Sequence, residues 1–249
     1  MVTTAVPRTA SRAPLPGSRY DHYFFSAMAA FCLLMVVIGF ARTYFFAGVF
    51  AAPLPNRLIH LHGAAFSLWI LFLVAQTSLV ASGNTATHKR IGLAGFGLAC
   101  VMVILGLLAA ADSVHRNFTP SPKLLAQVFS IVPFTGIGEF AVLIYLAYRS
   151  RFQSAAHKRY IVIGTIAILE AALGRFPVHI LQEVPLLQSV LLLSFILPLF
   201  VYDYYSTRRI HEATWTGFLL VTIVQFTRIP IGQTHAWQSF AHWVQSLNI

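Results

Sequence analysis

Glu139, Glu170, Arg42, Arg175 and Arg228 each fall inside, or at the edge of, a long apolar run of this 249-residue sequence. A charge near the middle of a bilayer costs roughly 2.5–3.5 kcal/mol on insertion scales, so such a residue faces the protein interior and finds a partner there. Glu170 is the clearest case, with Arg175 and Arg228 as candidate partners. Two readings of Glu170 follow from its type and place. It is one half of a structural ion pair, or it is an acid that relays or donates a proton, which makes it the candidate catalytic residue.

The histidines carry the other chemistry. His22, His88, His157 and His211 lie among basic residues, at one set of loop ends. His60, His62, His115, His179, His235 and His242 belong to the other set, together with Asp112 and Glu183. Imidazole and carboxylate ligate zinc, copper and iron, and imidazole is a common axial ligand of haem. His62 is the best placed, about one turn into its apolar run, with Phe66, Trp69 and Gln76 on its helical face. His60 lies roughly 200° around an ideal helix from it, so the two do not share a ligand face. The expected site therefore joins His62 to His115, His179, His235 or His242 around haem b or a transition metal. Trp69 and Gln76 would line it, and Arg42, Arg175 or Arg228 would neutralise an anionic group. The chain has no His-Glu-x-x-His, no glycine-rich phosphate loop and no nucleophile elbow. Cys32 and Cys100 stand singly inside apolar runs, and Cys-x-x-Cys-His is absent.

The elements that must position these residues are read from composition. Only 10% of the chain is charged and 57% is hydrophobic, against roughly 25% charged in a soluble domain. A water-soluble globule and a disordered chain are both excluded. About 20 apolar residues cross a bilayer as a helix. Runs over 24–46, 58–81, 91–111, 124–148, 160–176, 185–205 and 215–231 have that character. The fifth is the shortest and contains Glu170. The runs are apolar all round and lack the period-two alternation of a membrane barrel. The expected fold is all-α: a polytopic membrane protein with a seven-transmembrane-helix bundle over 23–232. Residues 1–22 read as a flexible cytoplasmic tail. Residues 233–249 read as an amphipathic helix at the outer surface, because Trp237, Phe240, Val244 and Leu247 share one stripe and His235, Gln238, His242 and Gln245 another.

The formal net charge of +10 belongs to topology rather than to nucleic acid. Arg8, Arg12, Arg19, Lys89, Arg90, Arg149, Arg151, Lys158, Arg159, Arg208 and Arg209 gather on one side if the N-terminus is inside, as positive-inside loops require. Two of those loops share a tripeptide, His88-Lys89-Arg90 and His157-Lys158-Arg159, each before an odd-numbered run. Arg175-Phe176-Pro177 and Arg228-Ile229-Pro230 lie near the far ends of later odd runs. A duplicated two-helix unit would produce this pattern, and so would basic loops with prolines after helices.

Longer segments carry a resemblance. They are Gly39-Phe40-Ala41-Arg42-Thr43-Tyr44-Phe45-Phe46, His60-Leu61-His62-Gly63-Ala64-Ala65-Phe66-Ser67-Leu68-Trp69, Gln76, His88-Lys89-Arg90-Ile91-Gly92, Tyr202-Asp203 and Arg208-Arg209-Ile210-His211-Glu212-Ala213-Thr214. Together they resemble a widespread family of uncharacterised bacterial multi-span membrane proteins. The resemblance implies residence in the bacterial inner membrane and singles out Arg42, His62, Trp69, Gln76, His88 and Arg90. It brings no catalytic residues. A looser likeness to diheme cytochrome b-type proteins implies haem on helix-borne histidines, although this chain offers His62 no deep partner. Three functions are expected from these readings. The first is a redox or binding module with haem or metal near the outer face. The second is a metal-dependent intramembrane lipid hydrolase using Glu170. The third is an accessory subunit of a larger membrane complex. The expected partners are the lipid bilayer and other membrane subunits, with no nucleic acid.

Overall fold

The computed structural model describes residues 20–52, 56–118, 125–178, 180–181 and 184–247. Among them all regular structure is helical. Helix α1 (Asp21–Phe40) runs on into a π-helical turn, Ala41–Phe45, closed by the wide bond from Phe46 N to Ala41 O at 2.8 Å. Helices α2 (Arg57–Ala81) and α3 (Thr85–His115) form a hairpin, each started by an asparagine side chain that accepts a backbone N–H: Asn56 from Ile59 and Asn84 from Thr87. Such caps satisfy the first free amides of a helix.

Proline sets the interruptions that follow. The short α4 (Ala126–Phe129) and the longer α5 (Ile131–Arg149) part at Ser130. Pro133 has no N–H to give to the carbonyl of Phe129, four residues back, so the ladder opens there. Helices α8 (Pro185–Ser194) and α9 (Leu197–Thr207) part in the same way ahead of Pro198. Helix α10 (Glu212–Gly232) and helix α11 (His235–Ser246) are the last of the described helices.

Six helical stretches are long and apolar enough to cross a membrane: Asp21–Phe45, Arg57–Ala81, Thr85–His115, Ala126–Arg149, Leu186–Thr207 and Glu212–Gly232. This is the architecture of a multi-pass helical membrane protein. Their outward faces carry exposed Leu34, Leu61, Leu71, Leu93, Ile104, Leu197 and Ile223, as lipid-facing surfaces do. The fifth apolar run is different. It is split into α6 (Ser154–Ala167) and α7 (Glu170–Leu173), joined by tight three-residue bonds from Leu169 N to Ile166 O and from Ala172 N to Leu169 O, both at 2.9 Å.

This segment is the inside of the bundle. Helix α6 packs against α5, α10 and α1, and Val162, Ile163, Thr165, Ile166 and Ala167 are buried. Trp69 of α2 donates its indole N–H to Thr165 Oγ1 at 3.1 Å, and Thr165 donates on to Ile161 O at 2.8 Å. A helix surrounded by protein rather than lipid can carry polar residues, which is why this run reads as the least apolar.

Close approach of backbones tightens the arrangement. A Cβ on Gly39 would lie 2.5 Å from the carbonyl oxygen of Ala172, so α1 touches α7 directly. A Cβ on Gly217 of α10 would lie 2.6 Å from Ile163 Cδ1 of α6. Overpacking of this kind costs about 1–3 kcal/mol, and more where backbone is struck. A Gly39→Val variant should therefore lose a clear part of its thermal midpoint in detergent. Gly97→Val, whose Cβ meets nothing within 4 Å, should stay close to wild type.

Candidate functional site

Two buried polar centres lie near the two ends of the α6–α7 segment. The first is at the basic end, where both His-Lys-Arg tripeptides occupy the first turns of helices. Arg159 is 3% exposed and Asp203 of α9 is fully buried. The Arg159 guanidinium donates to Asp203 Oδ1 through Nε at 3.0 Å and through Nη2, and through Nη1 to Ala155 O at 2.6 Å. The other carboxylate oxygen of Asp203 accepts from Thr214 Oγ1 at 2.6 Å and from the His211 backbone N–H at 3.0 Å. Asp203 thus receives donors from α6, from α10 and from the turn between α9 and α10. Lys158 pairs with Asp21 at the start of α1 and lies over the Phe25 ring.

The same tripeptide has two fates. His157 Nδ1 meets Ala147 O at 3.0 Å, and His88 lies against the main-chain carbonyl of Gln76. Each imidazole thus turns back on the preceding helix of its own hairpin. Lys158 and Arg159 then point into acidic partners, whereas Lys89 and Arg90 remain exposed.

The second centre sits toward the far end. Glu170, the first residue of α7, accepts from Arg228 of α10 through both carboxylate oxygens, with Arg228 Nη1 at 2.5 Å from Oε2 and Nη2 on Oε1. Arg228 Nη2 also donates to Gln225 Oε1 at 2.7 Å. Ser189 Oγ donates to the same oxygen at 2.8 Å, and Gln225 Nε2 reaches Glu170 Oε2 at 3.3 Å. Two-pronged arginine–carboxylate pairing of this kind is strong and geometrically specific. Glu139 of α5 lies within electrostatic range of both Glu170 and Arg228 and is 3% exposed. Neither of its carboxylate oxygens has a hydrogen-bond partner among the described residues, and neither has Arg228 Nε.

The residues expected to form a haem or metal site are dispersed. His62 stacks on Phe66 with ring centroids 4.1 Å apart and keeps a buried Nδ1 without a partner. Arg175 lies in electrostatic range of His62, bonded to Ala171 O at 2.7 Å and set over the Phe40 ring. Trp69, expected to line a pocket, is packed in the core against Phe140 and tied to Thr165. Gln76 is buried toward the basic end, away from His62 along α2, with both amide atoms unpartnered. Arg42 is not buried with a carboxylate: it stands exposed in the π-helical turn, over the Phe50 ring. His235 bonds Ser239 on its own helix, and His242 is exposed. His115 is half-buried with Nε2 unpartnered, and His179 lies outside the described residues. Among the described residues no three His, Cys, Asp or Glu side chains come together to hold a metal ion. Glu170 is committed to Arg228 rather than facing a metal.

Helix α11 lies across α3 and α4. Val244 packs with Ala111, Val114 and Phe134, and Trp237 donates its indole N–H to Gln127 O and Ser130 Oγ, both at 3.1 Å. Its apolar stripe is thus spent largely on the protein. The role of Asp203 as the hub of a buried centre was not expected from sequence, although Tyr202-Asp203 and His211 through Thr214 lie in the segments that carry the resemblance.

No protein-family model, curated protein or solved structure matches the chain.

His211 gives the basic end a pH dependence. Its Nδ1 accepts the Ala213 backbone N–H at 3.0 Å, which caps α10 and requires a neutral ring. Burial, and then the Arg159 guanidinium, push His211 below its ordinary value of 6.5. The unfolded chain therefore binds that proton more tightly. The stabilisation is complete above the unfolded value and is lost as pH falls through the folded one. Thermal midpoints should drop between about pH 7 and pH 5. His211→Asn, which keeps a capping acceptor, should flatten that drop.

Proposed function

We propose that this protein is an integral membrane binding module that holds a small ligand among the polar groups of its far half. The single observation that supports this most is Glu139: among the described residues both of its buried carboxylate oxygens lack a partner, as does Nε of Arg228, which lies in electrostatic range of it. More than 90% of buried polar groups in folded proteins are satisfied, and each one left unpaired costs roughly 1–3 kcal/mol. A fully buried carboxylate with both oxygens unpaired is a place where a ligand can supply the missing bonds.

Haem b or a transition metal would have to bind at the His62 corner through that one imidazole, with no cluster of ligating side chains gathered beside it among the described residues. A buried imidazole nitrogen is free there, and Arg175 nearby has no carboxylate partner among the described residues. The test is protein purified in mild detergent, examined by native mass spectrometry, visible absorption and elemental analysis. A bound small molecule, chromophore or metal, lost in His62→Ala while the fold is kept, is the expected result. A fully folded preparation free of any ligand would sink the reading.

The same proposal assigns the chain to a bacterial plasma membrane, with the basic end cytoplasmic and seven crossings, the α6–α7 segment counted as one. The support is the concentration of Lys and Arg at one end and the meeting of Asp21 with Lys158 there, while α11 lies against α4. In a background lacking Cys32 and Cys100, single cysteines at Arg12 and Ser246 should react with impermeant thiol reagents from opposite faces. Labelling from one face would exclude seven crossings.

A further inference from the structure

The far centre does not balance its own charge. Among the described residues it contains two carboxyl groups, Glu139 and Glu170, and one guanidinium, Arg228. The charged groups facing Glu139 are Glu170 of α7 and Arg228 of α10. The other polar neighbours of this pair are the neutral Gln225 of α10 and Ser189 of α8. Arg228 is engaged: both of its terminal nitrogens bind Glu170, and one also binds Gln225. Glu139 therefore receives no hydrogen bond from it, feels Glu170 as a like charge, and is removed from solvent at 3% exposure. An isolated carboxylate in such surroundings is costly even after relaxation. One positive charge is missing from the centre.

We infer that Glu139 is the seat of an exchangeable monovalent cation, a proton or a sodium ion held against its free carboxylate oxygens. The Glu170–Arg228 pair acts as the fixed counter-structure. Gln225 bonds that pair and Ser189, which orients Arg228 and keeps it from collapsing onto Glu139. Glu170 is then a positioning residue, and Glu139 is the group that loads and unloads. This rests on the reading of the far half as a binding site and names the ligand class of its Glu139 corner, apart from the His62 corner.

The experiment uses the full chain in detergent micelles and in liposomes, with dicyclohexylcarbodiimide as the probe. This apolar reagent adds a protonated carboxyl group across its C=N bond and then rearranges to a stable N-acylurea, which peptide mass spectrometry locates. Wild type is expected to carry the adduct on Glu139 and not on Glu170. The labelling rate should fall as pH rises, and Glu139→Gln should remove the adduct. Sodium chloride that slows labelling at fixed pH, where choline chloride does not, assigns the site to sodium; indifference to sodium assigns it to the proton.

A second reading needs neither reagent access nor a variant that folds. At neutral pH, where exposed carboxyl groups are ionised, the wild-type infrared spectrum in sodium-free buffer should contain a carboxylic C=O band that shifts in D2O. Absence of both the Glu139 adduct and this band at neutral pH without sodium overturns the inference. That outcome is distinct from failure of the binding-module reading, in which no small molecule or metal accompanies the protein while Glu139 still labels.

Discussion

The bundle depends on how its central segment is fastened. Ser154–Leu173 runs between the other helices and is tied near both ends by buried ion pairs, Arg159 to Asp203 and Glu170 to Arg228. Neither pair is a strong source of net stability, because the cost of removing charges from water offsets most of their attraction. Their effect is conditional. Once one partner is buried, leaving it unpaired costs about 3–5 kcal/mol, so α9 and α10 must sit where they meet α6 and α7. The pairs thereby fix the rotation and depth of the inner helix more firmly than apolar contacts alone, which tolerate sliding.

The repeated tripeptide shows how position decides chemistry. In the two hairpins, α2–α3 and α5–α6, a histidine turns back to a carbonyl of the preceding helix. The first hairpin lies at the edge, and its Lys89 and Arg90 stay exposed. The second lies inside, and its Lys158 and Arg159 are drawn to Asp21 and Asp203. Identical residues thus act as a surface charge in one place and as a structural clamp in the other. The difference comes from which helices stand beside them.

At the far half the same electrostatics leave a remainder. One guanidinium serves two carboxyl groups, and bidentate geometry commits it to Glu170. The low dielectric that makes the Glu170–Arg228 pair tight also makes Glu139 expensive to leave uncompensated. Stability and binding chemistry in this half therefore have a common origin.

Much of this architecture is legible in the chain itself. Charge scarcity and apolar run length establish a helical membrane protein, because a bilayer admits few other solutions. The apolar pattern reads 124–148 and 185–205 as unbroken runs, and the openings ahead of Pro133 and Pro198 follow from the N–H that each proline lacks. Asn56 and Asn84 mark helix starts, and the two stripes of residues 235–247 mark the amphipathic C-terminal helix. The weakness of the fifth run is visible too, and so is the isolation of Glu139 and Glu170. Local sequence does not hold the choice of partners. Helical periodicity says which face a residue occupies, but not which helix that face meets. Whether Glu170 takes Arg175 or Arg228, whether Trp69 lines a cavity or fills the core, and whether Asp203 belongs to a loop or to the hub of a buried centre all depend on contacts between segments far apart in the chain. Gly39 against Ala172 and Gly217 against Ile163 are of the same kind, since a glycine reveals its close approach only when the opposing backbone or side chain is in place. The sequence by itself determined that polar residues had to be buried among apolar helices; only the tertiary structure decided which were paired and which, like Glu139, have no partner among the described residues.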